Sequence, residues 1–99
     1  MAGFVQIIEF TTSRIDEVDT LMSERRADLE AGTAVRSMAT GDRDRAGTYL
    51  SIVEFPSYEA AMANSERPET RSFAEAMGKL CDGPPKFYNL DVRATLTGD

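Results

Sequence analysis

Apolar and polar side chains alternate from Phe4 to Thr11, and they alternate again from Thr48 to Phe55. Alternation over that length marks a β-strand, whose side chains point to opposite faces in turn. In the first strand Val5 and Ile7 share one face, while Phe4, Ile8 and Phe10 share the other. The second strand repeats the arrangement: Ile7-Ile8-Glu9-Phe10 and Ile52-Val53-Glu54-Phe55 are nearly one tetrapeptide, 45 positions apart. At that shift Val5, Ile7 and Glu9 fall on Leu50, Ile52 and Glu54, and Phe4, Gln6, Ile8 and Phe10 fall on Tyr49, Ser51, Val53 and Phe55. One face is thus aliphatic in both strands; the other mixes aromatic rings with a small polar residue. Strands apolar on both sides are central in their sheet or covered on both faces.

After each strong strand the pattern changes to a helical period. Ser13 is a good N-cap, with Asp16 three residues on. Ile15, Val18, Met22, Arg25 and Leu29 then form one face, with acidic residues on the other and Gly32 as the stop. Ser57 opens the next helix, with Tyr58, Ala61 and Met62 inward. Asn64 to Pro68 breaks it, because Pro68 cannot donate to a continuing helix, and a kink or restart is expected there. Phe73, Met77 and Leu80 carry the helical spacing onward to Asp82-Gly83-Pro84-Pro85, which ends it. Two weaker strands complete the chain, Thr33 to Thr40 and Phe87 to Thr95. A polar hairpin loop, Gly41 to Gly47, follows the first of them.

The element order is therefore βαββαβ. Its short, unknotted solution is a ferredoxin-like α+β fold: a four-stranded antiparallel sheet in order 4-1-3-2 with both helices on one face. The whole chain, 1–99, is expected to form a single domain. The sheet face without helices still carries large apolar residues, and a second copy packed there would cover it. A homodimer is the expected assembly.

Composition narrows the function. Seventeen acidic residues against 11 basic ones give a net charge of −6, which disfavours nucleic acid and anionic membrane surfaces as partners. No apolar run approaches the ~20 residues of a membrane helix. One cysteine excludes an internal disulfide and fits a reducing, cytoplasmic setting. With no histidine and no tryptophan, most catalytic constellations cannot be assembled. Cys81 has no imidazole to activate it and ends a helix, where the dipole disfavours a thiolate. Neither a metal nor a cofactor is expected. Glu9 and Glu54 sit toward opposite ends of antiparallel strands, about 20 Å apart at ~3.4 Å per residue, too far for paired acid/base work.

The candidate ligand-binding set lies on the aromatic face. Gln6, Ser51 and Asn89 are short polar residues among Phe4, Phe10, Tyr49, Phe55 and Phe87. An apolar cavity with a few convergent polar groups is the form small-molecule sites take. Tyr49 and Phe55 would be its aromatic walls, Phe73 and Met77 its cover from the restarted helix, and Arg36 a cation for an anionic or enolate oxygen. The alternative is ordinary structural pairing: Gln6, Ser51 and Asn89 with backbone, neighbours or trapped water, and Arg36 in a surface ion pair.

The segments Glu54-Phe55-Pro56-Ser57-Tyr58-Glu59-Ala60-Ala61 and Arg67-Pro68-Glu69-Thr70-Arg71-Ser72-Phe73-Ala74-Glu75-Ala76-Met77 resemble the dimeric α/β-barrel superfamily, in its antibiotic-biosynthesis-monooxygenase-like branch. The chain departs from that pattern at Phe55, where the family often has Trp, and at Glu69, where it often has His. The resemblance implies a protomer that dimerises into an α/β barrel. It also implies either binding of a small apolar or aromatic molecule, or cofactor-independent monooxygenation or isomerisation of a phenolic, polyketide-like substrate. Haem degradation, which in the family looks to use Asn, Trp and His, is not implied.

Overall fold

A computed structural model describes residues 3–24, 32 and 34–96. Strand β1 (Phe4–Thr11) leads to helix α1 (Ile15–Glu24), then β2 (Arg36–Gly41) and β3 (Thr48–Phe55). Two helices follow, α2 (Tyr58–Ser65) and α3 (Pro68–Leu80), and β4 (Lys86–Asp91) closes the order. The sheet runs β2-β3-β1-β4 with every neighbouring pair antiparallel. This is the ferredoxin-like arrangement expected from the sequence, with the repeated strands as the central pair. Arg25 and Leu29, expected on the inward face of the first helix, lie outside the described residues.

Strand register decides which residues share a face. Phe4 pairs with Phe55, Gln6 with Val53, Ile8 with Ser51 and Phe10 with Tyr49. That aromatic face is the one the helices cover: Phe4 and Phe55, each 2% exposed, close around Ala61 of α2. The Phe4 ring meets Tyr58 edge-on at 5.4 Å. The other face presents Val5, Ile7, Leu50 and Ile52, flanked by Met38 and Leu90 on the outer strands. No described helix covers it, and Met38 and Leu90 are exposed.

The outer strands are shorter than their apolar patterns, because an outer strand is limited by its partner. β1 begins at Phe4, which pairs with Asp91, so Arg93 to Thr95 have no strand beside them; the Val92 N–H still reaches the Gly3 carbonyl at 3.0 Å. β3 ends at Phe55, so β2 starts at Arg36 opposite Glu54, with the Val35 N–H bonded ahead of it to the Glu54 carbonyl at 2.7 Å.

The second helical stretch is two helices. The Ser57 hydroxyl caps α2 by accepting the Ala60 N–H at 3.1 Å. Arg67 takes an extended conformation (φ −65°, ψ 135°), as a residue before proline prefers, and Pro68 opens α3 at a position that needs no donor. The start of α1 differs from the expectation at Ser13. The Thr12 hydroxyl, not that of Ser13, accepts the Arg14 N–H at 2.9 Å, and it also donates to the Leu80 carbonyl at 2.5 Å. Thr12 thereby ties the end of α3 to the end of β1; it is 3% exposed. Gly47 holds φ +81° in the β2–β3 hairpin, and a Cβ on Gly3 would stand 2.5 Å from the Pro56 carbonyl oxygen.

Candidate functional site

The two ends of the covered sheet face are packed differently. At the Phe4–Phe55 end, rings and Ala61 fill the layer between sheet and helix. Beyond Phe10 and Tyr49 the neighbours on β2 are Ala39 and Gly41, paired with Ser51 and Tyr49. Two residues with little or no side chain leave a gap there. Helix α1 roofs it with Ile15, Val18, Asp19 and Met22. The result is a cleft of about 220 Å³, floored by Phe10, Tyr49, Ser51, Ala39 and Gly41. Ligand pockets commonly enclose ~300–1,000 Å³, so the occupant would be compact.

Its floor suits a flat molecule. Phe10 and Tyr49 stack with centroids 5.8 Å apart and planes 28° apart. Val18, at 0% exposure, fixes the roof by packing onto this end of the sheet. Polar side chains of Tyr49, Ser51 and Asp19 line the cleft, and among the described residues no cationic side chain lines it. A wider depression between α1 and α3 is bordered by Arg14, Glu17, Glu24 and Lys79, and its charged rim is a solvated one.

Of the residues singled out from the sequence, Tyr49 and Ser51 line the cleft. Gln6 and Asn89 share that sheet face but pair with each other across β1 and β4, Gln6 Nε2 donating to Asn89 Oδ1 at 3.1 Å. Phe55 lies at the opposite end of β3, six residues or about 20 Å from Tyr49 at ~3.4 Å per residue, inside the packed core. Phe73 and Met77 are half-buried on α3 and do not line the cleft. Arg36 stands on the other sheet face, since it pairs in register with Glu54, and its Nε donates to Glu54 Oε2 at 2.5 Å. Sequence reasoning passed over Phe10 as a site residue and α1 as a roof. The available signal was Ala39 and Gly41 on β2, two small residues alternating onto an aromatic face.

The remaining chemistry on the sheet is structural. Glu9 accepts from the Tyr88 hydroxyl at 3.3 Å and from Arg45 Nη2 at 3.4 Å on the open face. The Cys81 thiol is pushed up by partial burial and by the neighbouring Asp82 carboxylate, which disfavours its nucleophilic form. Among the described residues no group of three His, Cys, Asp or Glu side chains is placed to hold a metal ion, and no helix is long and apolar enough to cross a membrane.

The whole architecture is shared with solved structures, several of them described as oxygenases or monooxygenases. SnoaB, a cofactor-independent oxygenase from Streptomyces nogalater, superposes with a TM-score of 0.83 over 99% of this chain and 100% of its own, at 18% identity. A monooxygenase from Streptomyces coelicolor, ActVA-Orf6 in complex with nanaomycin D, gives 0.77 over 99% and 94% of the two chains, at 17% identity. An antibiotic biosynthesis monooxygenase gives 0.76 over 92% and 99%, at 14% identity. The resemblance to the antibiotic-biosynthesis-monooxygenase branch of the dimeric α/β barrels thus holds, at the level of fold. No protein-family model matches the chain, and no curated protein matches it in sequence.

Proposed function

We propose that this chain binds a compact, planar aromatic molecule in the cleft under α1. The observation that carries this reading is the stacked Phe10–Tyr49 floor, with Ser51 beside it and Ile15, Val18 and Met22 above, Asp19 being the polar member of that roof. Stacking on the rings supplies affinity; the Tyr49 and Ser51 hydroxyls orient the oxygens of the bound ring. The binding unit is a homodimer of single-domain protomers, joined through the sheet face that carries Val5, Ile7, Leu50 and Ile52. Its place is the cytoplasm, in keeping with a free cysteine.

A second reading is catalytic: cofactor-independent oxygenation, or isomerisation, of a phenolic substrate. The fold shared with SnoaB and ActVA-Orf6 favours it. In such an oxygenation the phenolate itself reduces dioxygen. One oxygen atom enters the ring, the other leaves as water, and a phenol becomes a quinone. The chain's part is to hold the phenolic oxygen at Tyr49 and Ser51 and to screen the ring from bulk water.

Fluorescence titration with naphthol tests the binding site. Ala39→Phe places a ring in the cleft, where Ala39 leaves room, and is expected to weaken binding at least about tenfold, a change of ~1.4 kcal/mol. Equal binding by wild type and A39F would place the ligand elsewhere. Oxygen uptake with a phenolic anthrone separates the two readings: one quinone formed per dioxygen consumed supports the enzyme, and no uptake above the protein-free rate leaves binding alone.

A further inference from the structure

Tyr49 stands in the middle of a row that crosses three strands. Phe10 of β1 pairs with it on one flank and Gly41 of β2 on the other. Neighbouring strands lie ~4.8 Å apart, close to the spacing at which aromatic rings stack. The Phe10 ring uses that spacing, stacked on Tyr49 at 5.8 Å. On the β2 side the row has a glycine in place of a third ring. A Cβ built on Gly41 would stand 3.4 Å from both Cδ1 and Cε1 of Tyr49, a distance of ordinary van der Waals contact. A group over Gly41 therefore touches the outer flank of the Tyr49 ring. Gly41 is exposed and lines the cleft together with Tyr49.

The backbone does not ask for this glycine. Among the described residues Gly47 alone holds a positive φ, so the left-handed position of the hairpin lies there and not at Gly41, which ends β2. A glycine in a strand weakens it, and one place it recurs is where a ligand comes close to the backbone. Ala39, the preceding residue of β2 on this face, pairs with Ser51 and also lines the cleft. From Gly41 to Ala39 the strand advances about 7 Å, at ~3.4 Å per residue, which matches the length of two fused rings.

We propose that Gly41 sets the specificity of the cleft. A planar, fused aromatic ring system enters as the third member of the row, face to face with Tyr49 above Gly41 and Ala39. A saturated ring system of the same outline is thicker and is disfavoured. This deepens the binding proposal and rests on it. Stacking needs a flat face, and aromatic pairs gain about two- to tenfold in affinity beyond what burial alone supplies. A methyl group at Gly41 takes the ground on which the edge of the ring rests, so the stack is lost while the rest of the cleft remains.

The test is titration calorimetry with naphthol and decahydronaphthol, which share an outline and a hydroxyl and differ in thickness. The proteins are wild type, Gly41→Ala, Gly41→Phe and Gly78→Ala, each checked for folding by circular dichroism. Gly78 is exposed on α3 and does not line the cleft. Wild type is expected to bind naphthol at least about threefold more tightly than decahydronaphthol. G41A is expected to lose naphthol about tenfold, and that preference with it, while G41F loses more and G78A stays within about twofold of wild type. Should G41F fail to fold, G41A decides alone. A folded G41A that keeps naphthol within about twofold of wild type overturns the role of Gly41, and a weakened A39F in the same series still spares the cleft. A wild type that takes both alcohols equally also overturns it, as does an equal loss in G78A. A wild type that binds neither alcohol removes the role of Gly41 and the cleft together.

Discussion

The two faces of the sheet are built from interleaved residues of the same strands, yet they differ in kind. The covered face sets a ring at each end of both central strands with one polar and one aliphatic residue between, Phe4, Gln6, Ile8, Phe10 on β1 and Tyr49, Ser51, Val53, Phe55 on β3. Large beside small gives a surface with relief: solid where Phe4 meets Phe55 and Ala61, open where Ala39 and Gly41 adjoin Tyr49. The open face is even and aliphatic, with Ile7 against Ile52 at its centre. Its carboxylates are neutralised in place, Glu54 by Arg36 and Glu9 by Arg45. A surface with relief can enclose a small molecule; an even one is suited to packing on another sheet.

That contrast is broken most directly by a pair of substitutions, one on each face. Phe55→Ala removes a ring 2% exposed from the covered face and should cost about 3–5 kcal/mol of folding stability, read by urea denaturation. A loss that large is a sizeable part of the ~5–15 kcal/mol that holds a domain together. Ile52→Glu puts a charge in the middle of the open face. Sedimentation equilibrium should show the wild type as a dimer and I52E as a folded monomer, since an unpaired charge cannot be buried between sheets. A wild type that sediments as a monomer, or an I52E that stays dimeric, removes the assigned role of the open face.

A smaller effect concerns the hairpin that Arg45 fastens to the open face. The Asp42 carboxyl is held below the usual carboxylate range, first by its hydrogen bond from Arg45 and then by the Asp44 backbone N–H. A depressed folded-state pKa means that protonation favours the unfolded chain. The contribution to stability is therefore present above the unfolded value of about 3.9 and lost as pH falls through the folded one. Arg45→Ala removes the larger cause, so the Asp42 titration followed by NMR should move upward. An Asp42 that titrates unchanged in R45A would mean that the ion pair does not hold the loop.

Legibility in the sequence followed the same division. Alternation gave β1 and β3 their observed bounds, because central strands are limited by their own residues. It overran β2 at Ala34 and Val35 and β4 from Val92 to Thr95, because an outer strand ends where its neighbour does; Thr33 lies outside the described residues. Pro68 announced the break between α2 and α3 through its missing donor. Which face the helices would take was not legible, since Val5, Ile7 and Ile52 are as apolar as Phe4, Ile8 and Val53; the choice depends on how α1 and α2 pack. The candidate set was drawn on the aromatic face through Gln6, Ser51 and Tyr49, and Tyr49 and Ser51 border the cleft. Phe55, Phe73 and Met77 drew attention to the second helical stretch, whereas the gap lies beneath α1. Rings at the two ends of a strand look alike in sequence; only their neighbours, Ala61 at one end and Ala39 with Gly41 at the other, distinguish a filled layer from an open one.

The most direct measurement is of intermolecular nuclear Overhauser contacts between naphthol ring protons and the methyl groups of the wild-type protein. The predicted result is contact with Val18 of α1 and Ala39 of β2, which face each other across the cleft, and none with Ile7 or Ile52 on the open face. Contacts confined to Ile7 and Ile52, or spread evenly over both faces, would contradict a ligand site beneath α1.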